Sequence, residues 1–247
     1  MGYDPDTSLG GPYDAFPSTR QSLLVSANAL ELGVRREAFG AITAAYWKPV
    51  YKYIRLRWRK SNDEAKDLTQ HFFADMLDGS LLADFDSSRA SFATYLRMRL
   101  DGFVSNQNRA AGRLKRGGGV ELVSLDFEAA ERELPVHANG DVSMEEYFHR
   151  EWQREMFALA VEDLRALARH KGKDVQLRVF EDHDLVEQPA TYAELARRHG
   201  IPETAVTNYL AWARRELRRL LLDRLAEVTV GERDFRREAR DLFGSKR

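Results

Sequence analysis

Cysteine is absent from the 247-residue sequence, which removes disulfides, thiolate nucleophiles and cysteine-ligated zinc from consideration. No apolar run approaches the ~20 residues that a membrane-spanning helix needs. The first residues hold no basic segment followed by an apolar one, so the expectation is a cytoplasmic protein without a membrane partner. Alternating β-branched stretches are also scarce. Arg, Glu, Ala and Leu are abundant instead, a composition that predicts an all-α fold. Net charge is nearly lacking too, but the formal value of -1 hides segregation: residues 95–116 are basic, 121–151 acidic and 191–247 rich in arginine. Basic stretches point to a polyanionic partner. The acidic block between them reads as a solvated strand, or as one that imitates nucleic acid in a positive groove.

The length and these shifts predict two helical domains joined by a flexible acidic linker, the second containing a helix-turn-helix. Gly2, Pro5, Gly10, Gly11, Pro12 and Pro17 make residues 1–17 a disordered arm. The first domain spans 18–114, opening with a short helix around Leu23 to Leu30. A longer helix follows, carrying Phe39, Ile42, Tyr46, Trp47, Val50, Tyr53, Ile54 and Trp58 at the spacing of a buried stripe. Pro49 falls inside that stripe, where a kink or break is expected. The basic run Arg113 to Arg116 and the glycines Gly117, Gly118 and Gly119 end the domain. Residues 115–143 form the linker, 144–230 the second domain and 231–247 a C-terminal amphipathic segment.

Ser61 and Glu64 make a capping box, so a helix begins there. Ala65, Leu68, Phe72, Met76 and Leu77 give it an inner stripe, and Gly79 a stop. Asp67, His71 and Asp75 recur every four residues on another face, which is a metal-ligand spacing as well as that of a solvated or protein-binding surface. A second helical pattern follows at Phe92, Tyr95, Leu96, Leu100, Phe103 and Val104, and it carries Arg97, Arg99, Asn106, Asn108 and Arg109. Amides, cations and aromatics together suit unpaired bases, although Tyr95 and Phe103 fit a core equally well. Thr191 and Glu194 form another capping box. Leu195, Ala196, Gly200, Ile201, Val206 and Tyr209 then follow at helix-turn-helix spacing. In such a motif Glu203, Thr204, Thr207 and Asn208 face bases, while Arg214, Arg215 and Arg218 lie near phosphates.

The run Asp67-Leu68-Thr69-Gln70, then Phe85-Asp86, then Phe92-Ala93-Thr94-Tyr95 resembles the most characteristic stretch of bacterial RNA polymerase sigma factors. Phe16-Pro17-Ser18-Thr19-Arg20, Tyr46-Trp47-Lys48-Pro49-Val50-Tyr51 and Lys115-Arg116-Gly117-Gly118-Gly119 are similar, more narrowly, to a branch of the extracytoplasmic-function (ECF) group. The resemblance implies an alternative sigma factor whose partners are core RNA polymerase and promoter DNA. Asp67, Gln70 and Phe73 would contact the clamp helices of the largest polymerase subunit. Arg97, Arg99, Asn106, Asn108 and Arg109 would contact the melted minus-ten element, and the helix-turn-helix residues the minus-thirty-five duplex. It implies no catalytic residue, cofactor or metal, and leaves open an anti-sigma factor or a signalling kinase as further partners. Departures from the branch are Ala90-Ser91-Phe92-Ala93, where Gly-Arg-Phe-Arg is usual, His71 in place of glutamate, and Thr207, Trp212 and Glu216 where basic residues are common. Two other readings stay open: a stand-alone helix-turn-helix regulator, and a metal-dependent hydrolase with its ion between Asp67, His71 and Asp75.

Overall fold

A computed structural model describes residues 32–77, 84–111, 125–135, 142–229 and 231–243. The described residues form nine helices and no strand: α1 (Leu32–Arg57), α2 (Asn62–Leu77), α3 (Phe92–Ala111), α4 (Phe127–Arg132), α5 (Met144–Lys171), α6 (Asp174–Asp184), α7 (Tyr192–His199), α8 (Glu203–Glu227) and α9 (Gly231–Phe243). The all-α expectation holds. The expected arm over 1–17, the short helix near Leu23, the Gly79 stop and the basic run at 113–119 lie outside the described residues.

The chain divides into two compact units. The N-terminal unit takes its described residues from Pro17–Glu155 and Ala226–Glu238, and the C-terminal unit takes its own from Met156–Leu225 and Ala239–Arg247. The sequence puts the break in the linker at 115–143, whereas these units part inside α5.

In the N-terminal unit α1 packs against α2, α3 and α4. Pro49 stands inside α1 and does not divide it. A proline in mid-helix costs about 3 kcal/mol. Here Tyr46, Trp47, Val50, Tyr51, Tyr53 and Ile54 on both sides of it are buried, and their packing outweighs that cost. The linker is partly core. Phe127 sets its ring 5.4 Å from Trp47 and 5.1 Å from Tyr51. Acids of the same segment are paired rather than solvated: Glu131 accepts from Tyr51 and Arg55, and Glu133 from Lys52. The start of α5 contributes Trp152, stacked 5.9 Å from Tyr46, and Phe148, edge-on 5.6 Å from Tyr53. The C-terminal segment docks here as well. Phe235 is fully buried, and Arg237 Nη2 donates to the Ser87 carbonyl at 3.0 Å. Burial, with the charges of Glu238 and Asp234, pushes the Tyr46 phenol well above its usual range.

The C-terminal unit buries Leu164, Ala168, Leu177, Val179, Phe180, Leu195, Val206, Leu210, Ala213 and Leu217. Pairs at its edges fasten one helix to another: Arg165 to Glu181, Arg214 to Asp184 and Arg224 to Asp163. Residues 191–203 form a locally determined turn. Thr191 Oγ1 accepts from the Glu194 amide at 3.3 Å, and the Glu194 carboxylate accepts from the Thr191 amide at 2.8 Å. Gly200 ends α7 in the left-handed region (φ 65°), where its lack of a Cβ avoids strain. Pro202 then precedes α8, and the Ala205 amide donates to its carbonyl.

Candidate nucleic-acid interface

The helix α3 carries unlike faces. Ser91 begins it, its hydroxyl accepting from the Thr94 amide at 3.3 Å. Phe92, Ala93, Leu96, Leu100 and Val104 turn inward and are buried. Serine and alanine at 91 and 93 depart from the arginines of the resembling branch because both positions belong to the fold here: Ser91 is the cap and Ala93 has no exposure. Tyr95 and Phe103 are half-buried; Tyr95 lies 5.1 Å from Phe85 and Phe103 lies 5.5 Å from Phe72. These contacts give the two rings core roles.

A lateral face of α3 is occupied by Asp101, its single acidic residue. The carboxylate accepts from the Tyr53 hydroxyl at 3.0 Å, Trp58 Nε1 at 3.1 Å and Arg97 at 3.2 Å. Arg97 also pairs with Glu145 at 3.3 Å, and its side chain is only 16% exposed. Burial works against its charge, but the Tyr53 hydrogen bond and the Glu145 and Asp101 carboxylates outweigh it and raise its pKa. Arg97 is thus held within the unit, whereas Arg99 and Arg109 of the same helix are exposed. The outer face carries Met98, Arg99, Gly102, Asn106 and Arg109, all exposed, and Asn108, also exposed, lies toward the Asp101 side. Asp84 approaches Arg99 only to 3.9 Å. With the acid turned aside, the outer face is cationic and amide-rich. Met98 and Gly102 on it are additions the sequence reading missed, although their spacing from Asn106 and Arg109 places them on that face.

On α2 the Ser61 cap forms as expected: its amide donates to the Glu64 carboxylate at 3.1 Å, which lowers the pKa of that carboxyl. The inward face is rotated from the expected stripe. Thr69 and Phe73 are buried with Ala65, Phe72 and Met76, and Leu68 is half-buried. The Thr69 hydroxyl satisfies itself on the Ala65 carbonyl at 2.7 Å, so a polar residue fits the core. Phe73 is 1% exposed, with its ring against Phe39 and Phe72. Asp67 and Asp75 are exposed, and Gln70 and His71 half-exposed. Among the described residues, Asp67, His71 and Asp75 do not bring their ligand atoms within 4.8 Å of one another.

On α8, Glu203, Thr204 and Asn208 are exposed, Thr207 is half-buried, and Arg215 shares the exposed stripe of Thr204 and Asn208. The other expected phosphate contacts are engaged elsewhere. Arg214 grips Asp184 bidentately at 2.7 and 2.8 Å. Burial raises the Asp184 carboxyl, but Arg214 and His183 outweigh it and hold it below its ordinary range. Arg218 lies 4.5 Å from the Phe243 ring.

The α2, α3 and α8 faces all lie within the stretch that the family profile described as ECF sigma factor matches, residues 50–223. Residues 32–49 of α1 and the whole of α9 fall outside it. Neither the curated proteins nor the solved structures contain a match to this chain. No described helix is long and apolar enough to cross a membrane. The family comprises transcription-initiation factors rather than enzymes, and its members work with core RNA polymerase and promoter DNA. The profile covers well over half of the sequence, and on that ground the chain belongs to the ECF sigma factor family.

Proposed function

We propose that this protein binds core RNA polymerase through the outer face of α2 and directs it to a specific set of promoters, which it opens and reads with the outer face of α3. The observation that carries this reading is the sorting of charge on α3. Asp101 is turned onto Tyr53, Trp58 and Arg97, which leaves Arg99, Asn106 and Arg109 as an outer surface suited to an unpaired strand, with the exposed Asn108 at its edge. Asn106 and Asn108 supply hydrogen bonds to base edges, and Arg99 and Arg109 neutralise phosphates. Arg97 positions Asp101 instead of meeting DNA.

Asp67 and Gln70 form the polymerase contact, with Phe73 setting the helix from beneath. α7 and α8 act as the helix-turn-helix for the minus-thirty-five duplex. There Glu203, Thr204, Thr207 and Asn208 face the bases, Arg215 meets the backbone and Arg214 braces the helix. The domains follow the same division of labour: the helices before the linker serve polymerase and the melted strand, and those after it the duplex.

Asp67→Lys tests the polymerase contact. Asp67 is exposed, so the variant folds normally, and loss of co-purification with core polymerase is expected. Full retention removes α2 from the contact set.

A further inference from the structure

Gly102 lies in mid-helix at the centre of the α3 outer face, where glycine is the poorest choice after proline. Nothing in the fold requires it. A Cβ built there meets nothing within 4 Å, and the position has no positive φ. Met98 and Arg99 stand about one turn before it, Asn106 one turn after and Arg109 two turns after, a span of about 16 Å along the axis. Helical side chains lean toward the helix N-terminus, so Asn106 overhangs the turn that starts at Gly102. Met98 is one of the most exposed large apolar side chains among the described residues, at 57%. The result is a notch, floored by bare backbone, with a thioether on one side and an amide on the other.

We infer that Gly102 is the point of closest approach of the unpaired promoter strand to α3, kept without a side chain so that a base can lie against the helix backbone. The inference deepens the proposed function and rests on it. Glycine is used where a backbone must come close to a ligand. An unpaired base presents a flat face to Met98 and a hydrogen-bonding edge to Asn106, with its phosphates toward Arg99 and Arg109. A methyl group at 102 stands about 1.5 Å above the backbone, enough to lift the base out of reach of the amide.

The test is a size series with an internal control. Gly40, inside α1, is equally open, with nothing within 4 Å of a built Cβ. Gly40→Ala, Gly102→Ala and Gly102→Leu are each combined with core polymerase and assayed for promoter opening and run-off transcription, alongside Tm and core co-purification. Both alanine variants are expected to gain about 2–4 °C in Tm, since alanine is the better helix former. Gly102→Ala should lose about tenfold in promoter opening and Gly102→Leu about a hundredfold, with core binding unchanged and Gly40→Ala fully active. Full activity of Gly102→Leu overturns the inference. So does an equal loss in Gly40→Ala, which assigns the effect to helix stiffening. Asn106→Ala and Arg109→Ala separate the two levels. If they impair opening while Gly102→Leu does not, the notch alone is wrong; if none of them does, the reading of α3 fails as well.

Discussion

Inside the N-terminal unit, Lys52 and Glu151 meet at 2.6 Å with side chains 4% and 3% exposed; the edges of the C-terminal unit hold pairs such as Arg224 with Asp163, 30% and 29% exposed. The first arrangement takes ions out of water and returns the cost only while every partner is present. The second leaves them partly solvated, so each pair contributes modestly and independently. The N-terminal cluster also joins distant stretches: Lys48 reaches Glu155 at 3.1 Å, and Lys52 takes in Glu133 at 2.7 Å. One unit is thus knitted by an internal ionic knot, while the other is assembled from local motifs and fastened at its rim.

Removing one partner of the knot sharpens this contrast most. Lys52→Ala should cost about 3 kcal/mol, because the buried Glu151 loses the cation that ties it to α1 and keeps only its helix neighbour Arg154. The double change Lys52→Met with Glu151→Leu should recover most of that in denaturant titration. An effect of about 2 kcal/mol or less would place the knot in the same class as the rim pairs.

That knot was not legible in the sequence, for a physical reason. Nothing in the spacing of the aromatic helix singles out Lys52, and Glu131 and Glu133 fall among the linker acids, since their pairing depends on which distant segments meet. The cap at Ser61, the cap at Thr191 and the Gly200 turn were legible, because each depends on neighbours within a few residues. The α2 stripe was read slightly rotated. Thr69 counts as polar by composition, yet its hydroxyl closes on the Ala65 carbonyl, and Phe73, to which the resemblance gives a polymerase contact, is buried. On α3, residue types alone showed the cations and amides but not that Asp101 withdraws Arg97 from them.

The rim pairs come next in size. Arg214→Ala should cost about 2 kcal/mol, as a part-buried, charge-assisted bidentate bond is lost. The Asp184 pKa is lowered in the folded state, so this contribution is fully present above the ordinary carboxylate value, about 3.9, and disappears as pH falls through the lower folded value. The stability gap between wild type and Arg214→Ala should therefore close in acid. Glu155 in the N-terminal unit has the opposite sign. Burial raises its carboxyl above the usual range despite Lys48, so its contribution is full below about pH 4.3 and fades as pH rises through the raised folded value. A gap for Arg214→Ala that persists in acid would break the contrast.

The smallest expected effect is at a cap. Thr191→Ala should cost about 1 kcal/mol, the usual value for a lost N-cap, and should leave the N-terminal unit unaffected. Hydrogen exchange that quickens only over 191–210 is the corresponding signature. A change spread across both units would show that the rim motifs are not local.

The most direct test of the central claim is the affinity of the complex with core polymerase for a forked promoter bearing an unpaired minus-ten strand, measured against salt for wild type and Asn106→Ala/Arg109→Ala. The account predicts binding at least about tenfold weaker, with a salt slope reduced by roughly 0.7 for the lost phosphate contact. Unchanged affinity and slope, with core binding intact, would contradict it.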